Sequence, residues 1–311
     1  MKATINFSLL LSFLLLSFTS LFAQATLETA GLKGDVKSVS STVYRTAMKE
    51  GKVKLLSISQ LHKQSFNEAG FMYGKEYQVN TLSMGEGPKR TMVFDFDKEN
   101  KLIKETTSKN GTEERSSQHT YKNGLVVSTK YYKAGGTLLG TQYMTYDDNG
   151  NKLTSKATDT EGNAIQIVEL TYTKDNKVAS SKEIKRGKLV RYSKYEYPNE
   201  NEEKVIQLDP LMAKETMISY TVIIYDEHKN ILSSTEYTPD RKVERKSIYE
   251  YNDYGDKTLR QTSDAEGVVE DYNYMRYEYD YDKKGNWIQK IEYLKNGNSL
   301  DATKREIEYA K

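Results

Sequence analysis

An all-β fold is predicted: a long antiparallel β-meander of repeated hairpins that forms one curled sheet, a half-pipe or an incomplete barrel. Three observations predict it. An aromatic residue followed by a turn recurs at Phe66, Phe96, Tyr121, Tyr146, Tyr172, Tyr197, Tyr225, Tyr251 and Tyr281, at spacings of 30, 25, 25, 26, 25, 28, 26 and 30 residues. Repeats of this period mark one supersecondary unit stacked many times. Between these turns, apolar and polar residues alternate with the period of a strand: Tyr277, Tyr279 and Tyr281 on one face, Arg276, Glu278 and Asp280 on the other. Finally, the chain is poor in aliphatic residues yet has 25 tyrosines, a composition suited to broad, half-exposed β-surface.

The turns follow from residue chemistry. The fullest copies are Tyr146-Asp147-Asp148-Asn149-Gly150-Asn151 and Tyr281-Asp282-Lys283-Lys284-Gly285-Asn286. Four residues after most aromatic anchors stands a residue that tolerates a left-handed backbone: Gly70, Asn100, Gly150, Asn176, Asn201, Gly255 or Gly285. Asp97, Asp147, Asp226, Asn252 and Asp282, directly after their anchors, can hydrogen-bond their own backbone and start the turn. A second turn falls halfway along each period, as at Asp159–Asn163, Asp264–Gly267 and Lys295–Asn298. Each period then holds two strands of ~9 residues and two turns of ~4.

Nine periods imply about 18 strands, with one or two more from Lys33 to Lys63. Laid flat at ~4.8 Å per strand such a sheet would stretch ~85 Å, and open sheets of more than ~10 strands curl. The aromatic rows are expected inside the curve. Residues 81–90 and 209–216 lengthen two periods and read as longer loops, because the repeat resumes beyond each.

Residues 1–25 read as a signal peptide. Lys2 gives the positive start, Phe7 to Phe22 the apolar stretch, and Ala23-Gln24-Ala25 the small-residue cleavage pattern. The expected location is exported: periplasmic, associated with the outer surface, or secreted. Beyond the leader no apolar run approaches ~18 residues, so no membrane-spanning helix is expected. Residues 26–311 form one repeat domain. The chain has no cysteine, which removes thiolate metal sites, thiol nucleophiles and disulfides. Its near-neutral formal charge of +2, with Lys and Glu interspersed, argues against a nucleic-acid partner.

The pattern Tyr-x-Tyr-Asp-x-x-Gly-Asn, seen at Tyr279–Asn286, resembles the YD repeat of Rhs-type proteins. The opening Leu32-Lys33-Gly34-Asp35-Val36-Lys37-Ser38-Val39 resembles the start of small exported YD-repeat proteins of Bacteroidetes. The resemblance covers roughly residues 66 to 309. It implies a β-repeat architecture and export. In large Rhs proteins such repeats wind into a shell around a toxin, but the terminal core motif and toxin region of those proteins are not found here.

No catalytic motif emerges, and neither a catalytic residue, a cofactor nor a metal is expected. His62, His119 and His228 fall in separate repeats without partners at ligand spacing, and read as polar surface histidines. Asp147, Asn149 and Asn151 stand at calcium-loop positions one, three and five, but Lys152 and Thr158 occupy the places that need glycine and a bidentate glutamate. Glu270 with Asp271 and Glu278 with Asp280 are adjacent acids with no sign of facing across a cleft. The expected function is therefore a non-enzymatic exported scaffold or binding module, taking a glycan or protein partner on the concave aromatic face or at the sheet edges. The alternatives are an envelope hydrolase with a dispersed acidic site and an immunity-type protein that caps a toxin.

Overall fold

The computed structural model describes residues 25–80, 85–212 and 214–310. The signal-peptide reading therefore falls on residues that are outside this description, apart from Ala25. Ala25 itself is tied into the fold, its carbonyl accepting the Met72 amide at 2.8 Å.

Twenty strands follow one another in sequence, matching the count from the repeat. They begin with β1 (Val36–Lys49), β2 (Lys52–Phe66), β3 (Met72–Val79), β4 (Arg90–Phe96), β5 (Leu102–Lys109), β6 (Thr112–Lys122) and β7 (Leu125–Lys133). The middle of the chain forms β8 (Leu138–Tyr146), β9 (Lys152–Thr158), β10 (Ala164–Tyr172), β11 (Val178–Lys185), β12 (Lys188–Asn199), β13 (Glu202–Leu208) and β14 (Met217–Tyr225). The last six are β15 (Ile231–Tyr237), β16 (Val243–Tyr251), β17 (Lys257–Ser263), β18 (Tyr274–Tyr281), β19 (Trp287–Tyr293) and β20 (Ser299–Tyr309). Each pairs antiparallel with the next, as short turns require. The predicted loop at 209–216 separates β13 from β14, and the one at 81–90 falls between β3 and β4, with residues 81–84 outside the described ones and Arg90 already opening β4.

The curled sheet closes completely, which corrects the expected half-pipe or incomplete barrel. β1 pairs with β20 from Val36↔Tyr309 to Arg45↔Asp301, making a twenty-strand barrel. The even strand number brings first and last strands together antiparallel. Closure then satisfies two rows of backbone donors and acceptors that an open sheet would leave to water. Local patterning identifies strands and neighbouring hairpins, but contains nothing about whether the first strand meets the last.

The seam is where the main aliphatic cluster forms. Leu32, Val36, Val39, Phe66 and Met72 are buried together, with Ala25, Leu27, Phe94 and Ile307 packed against them. The segment before β1 is held down by Leu27 N–H donating to the Gly70 carbonyl and by a Thr26–Phe71 bridge. Asn286, 1% exposed, clamps this segment from the last repeat: its Oδ1 accepts the Lys33 amide at 2.7 Å and its Nδ2 donates to the Lys33 carbonyl at 2.8 Å. Elsewhere most side chains are only partly buried. A ring of twenty strands spans a perimeter of ~96 Å before tilt, too wide for one aliphatic core to fill.

All the tyrosine–aspartate turns lie at one rim, because every one connects an even strand to the following odd strand. In the fullest copies the aspartate after the anchor builds the turn. Asp147 Oδ1 accepts the amides of Asn149 and Asn151 at 3.0 and 2.8 Å, and Oδ2 accepts Asn151 Nδ2 at 2.9 Å. Asp226 repeats this with His228 and Asn230. The fourth position takes positive φ even where the residue is neither Gly nor Asn, as at Lys229 with φ 63°. Gly285 is needed twice over: its φ is 79°, and a Cβ there would sit 3.2 Å from the Tyr254 ring. Two copies depart from the expected turn. Tyr121 is followed by a two-residue turn at Asn123-Gly124, with φ 52° and 79°, and Asn201 is not among the residues of positive φ.

Candidate functional site

The inner face of the barrel is identified by convergence. Register places Phe94 beside Glu105, Glu105 beside Ser117 and Ser117 beside Tyr131, so four successive strands direct side chains to one place. They line a concavity of about 460 Å³, within the size range of small-molecule sites. One side is apolar, made by Met72, Phe94, Phe96 and Leu102, and the other is polar, made by Glu105, Arg115, His119, Tyr131 and Gln142.

The tyrosine anchors share this inner face, as expected, but their hydroxyls are already engaged. Tyr121, Tyr146, Tyr172, Tyr197 and Tyr251 donate to the carbonyls of Leu102, Val126, Lys152, Val178 and Ile231 at 2.8–3.0 Å. Each acceptor lies just past the preceding tyrosine–aspartate turn. At β18 the same bond shifts by two residues, with Tyr279 donating to Lys257. Tyr281 stacks on Tyr254 at 3.9 Å and donates to Asp256. Tyr309, at the end of β20, donates to Asp282 and accepts from Asn286 Nδ2. The anchors therefore rivet each hairpin to the one before it.

Glu105 is the distinctive group of the concavity. It is half-buried, enters no hydrogen bond or ion pair among the described residues, and burial raises its pKa. Tyr131 donates to Gln142 Oε1 at 2.9 Å, and Gln142 Nε2 donates to Ser155 at 2.7 Å. Burial raises the Tyr131 pKa, and the nearby Glu105 carboxylate adds to the rise. His119 Nδ1 lies 3.0 Å from Thr129 Oγ1, and burial lowers its pKa. Two other inner acids are satisfied, whereas Asp301, at the seam, like Glu105 has its pKa raised by burial, and then by Glu292. Glu183 is paired with Lys185 at 2.8 Å and accepts from Gln166 at 2.7 Å, while Glu203 accepts the Tyr225 hydroxyl at 3.0 Å.

The histidine reading needs correction. His228 is exposed on a turn, but His62 and His119 lie partly buried on the inner face. Burial, and then Lys75, lowers the His62 pKa. The Asp147 turn is occupied by its own backbone and by Asn151, and these bonds hold its carboxyl below the usual range, with the Asn151 side chain contributing most. Among the described residues no three His, Asp or Glu gather as a metal site would require. Glu278 and Asp280 do not face each other across a cleft: Glu278 pairs with Arg276 and accepts the Tyr293 hydroxyl, and Asp280 accepts from Gln289. At β19–β20 the Arg305 guanidinium lies 3.2 Å from the Trp287 ring centre, and burial lowers its pKa to about 10.

Sequence reasoning missed Glu105, Arg115, Tyr131 and Gln142. Their strands carry the inward–outward alternation, but nothing local distinguishes Glu105 from the other acids. Cross-strand register brings them together, and that register includes an irregularity between Thr107 and Ser108.

Fold and site define a closed antiparallel barrel built of tyrosine–aspartate hairpins with a polar lumen. No protein-family model matches the chain, and no curated protein matches it. Among solved structures, TcdB2-TccC3 aligns over 84% of this chain at 11% identity and a TM-score of 0.40, and the chain spans only 18% of that molecule. A porin-like protein from Bacteroides uniformis aligns over 89% of this chain and 98% of its own at 12% identity and a TM-score of 0.35. One from Bacteroides vulgatus aligns over 88% and 98% at 9% identity and a TM-score of 0.24. Likeness at these levels carries no functional argument.

Proposed function

We propose that this chain is an exported, non-enzymatic binding module of the cell envelope that takes a carbohydrate in its lumen. The observation that carries the reading is the two-sided concavity: Phe94 and Phe96 offer ring area, while Glu105, Arg115, His119 and Gln142 offer directional hydrogen bonding. Sugars present the same pairing of an apolar ring face and a girdle of hydroxyls. Export rests on the leader-like residues 1–25.

A membrane pore is disfavoured by the outer wall. It carries Lys204–Glu196 and Arg276–Glu278 ion pairs in its strands, and a lysine or arginine facing hydrocarbon costs ~2–4 kcal/mol at mid-depth. The barrel is read as bathed in water on both faces. Hydrolysis of a glycoside by the usual route needs two carboxyls flanking one bond, whereas Glu105 is the single acid among the described residues lining the concavity.

Glycan-array binding of the purified chain, repeated with Glu105→Gln and Phe94→Ala, tests the proposal. Binding that both substitutions abolish, with the fold intact by circular dichroism, supports it. A flat array, or release of reducing sugar that Glu105→Gln prevents, counts against it.

A further inference from the structure

Closure removes the sheet ends, yet among the described residues one stretch of strand has no neighbour beyond its own hairpin. The β1–β20 ladder stops at Arg45↔Asp301, and the β2–β3 ladder stops at Gln60↔Val79, extended by the Asn80 amide donating to Ser59 at 2.7 Å. The β1–β2 hairpin runs on to Lys49↔Lys52, around a tight turn with φ 52° at Glu50 and 71° at Gly51. Among the described residues, 46–58 therefore have no ladder partner outside β1 and β2, with Ile58 paired to Tyr44 at the base and 46–49 paired to 52–55 beyond it. On the β1 side the overhang is four residues, about 13 Å at strand rise. Register irregularities on either side of Tyr44 lie where the hairpin leaves the wall.

The side chains on this overhang have a definite chemistry. Leu55, Leu56 and Ile58 are 39%, 63% and 41% exposed. Lys49, Lys52 and Lys54 stand exposed around them and enter no ion pair among the described residues. Glu50 is the hairpin tip's only acid. Lysine on a free edge repels a second copy of that edge and admits an acidic strand. A bilayer would leave the open backbone N–H and C=O groups unsatisfied, whereas an added strand pairs them.

We propose that the projecting β1–β2 hairpin is a docking edge for an extended segment of a partner protein, with acidic residues interleaved among apolar ones, which adds to β2 as a further strand. The site lies at the rim opposite the tyrosine–aspartate turns and is independent of the luminal concavity.

Selection of random displayed decapeptides against the full chain tests this. The recovered peptides should interleave acidic and β-branched residues, and synthetic copies should weaken at least tenfold between about 50 and 300 mM salt. Lys49→Glu, Lys52→Glu and Lys54→Glu combined should weaken them at least tenfold more, at an unchanged unfolding midpoint. Bound peptide should slow hydrogen exchange at residues 54–58. Peptides without acidic bias, equal affinity for the triple variant, or unchanged exchange at 54–58 overturn the proposal. So does binding to phosphatidylglycerol vesicles, or self-association of the chain, that the triple variant loses while no peptide is selected.

Discussion

The two rims of the barrel are made by the same strands, yet they are held in different ways. At the tyrosine–aspartate rim each turn is tied to its neighbour: Tyr146 reaches back to Val126, Asn149 and Asn151 both donate to Asn176, and Lys229 donates to Asn201. At the opposite rim a few turns are tied in pairs, the Lys89 amide donating to Asn110 Oδ1 at 2.9 Å and Lys295 Nζ to the Val269 carbonyl at 2.7 Å, while others close on themselves. Asp159 bonds only within its own turn, to Glu161 and Asn163. That rim also carries the long 209–216 loop, with Leu211 87% exposed, and the projecting β1–β2 hairpin. One end is a cross-bonded belt that closes the barrel. The other is tied only at separate points.

Paired substitutions at the two rims can break this comparison. The largest effect is expected at the seam. Asn286→Ala removes both bonds to Lys33 and the one to Tyr309, and should cost about 2–3 kcal/mol. Asn298→Ala, at an exposed turn residue of the opposite rim, should cost less than about 0.5 kcal/mol. Urea midpoints measure both, and equal losses would show that the belt does not hold the seam.

A smaller contrast is expected within one strand. Tyr146→Phe keeps the ring but deletes the hydroxyl bond to Val126, and should cost about 1 kcal/mol. Tyr143→Phe changes an exposed tyrosine on the outer face of β8 and should be close to neutral. Thermal unfolding of the two variants side by side decides whether the hydroxyls or only the rings matter.

Acid should loosen the turns of both rims. Hydrogen bonds depress the carboxyl pKa of Asp147, Asp226 and Asp159 in the folded chain, each led by the side chain of the following asparagine. The unfolded chain then binds more protons, so this stability is present above the ordinary aspartate pKa near ~3.9 and is lost as pH falls through the depressed values. Unfolding midpoints from about pH 6 to 2 should fall less steeply in Asp147→Asn and Asp226→Asn than in the wild type. Identical slopes would mean that these turns do not carry the acid sensitivity.

The subtlest expectation concerns Glu105, where the sign reverses. Burial raises its pKa, so the ionised form is disfavoured in the folded chain above that value. Glu105→Gln should slightly raise the melting temperature at pH 8 and have no such effect at pH 4. A loss of stability at pH 8 would show that the carboxylate has a structural partner rather than a place held for a ligand.

The hairpins were legible because their chemistry is local. Tyr146, Asp147, Gly150 and Asn151 specify a turn within six residues, and the inward–outward alternation of β18 and β19 shows at a glance. The inner position of the tyrosines also followed, since their rings need cover. Their role as rivets did not. The acceptors of Tyr146 and Tyr172 are each 20 residues away, at carbonyls no side-chain pattern marks. Glu105 and Tyr131 were illegible for a related reason, because they meet only through the register of three strands.

By itself, the sequence determined the strand count, the antiparallel order and the chemistry of each turn, since all of these rest on contacts between residues close along the chain. Only the tertiary structure decided that Val36 meets Tyr309, that Glu105 is half-buried without a hydrogen-bond partner among the described residues, and that residues 46–58 overhang the wall. Those outcomes depend on accumulated twist and register around the whole ring, quantities to which every strand contributes a little and no local segment contains.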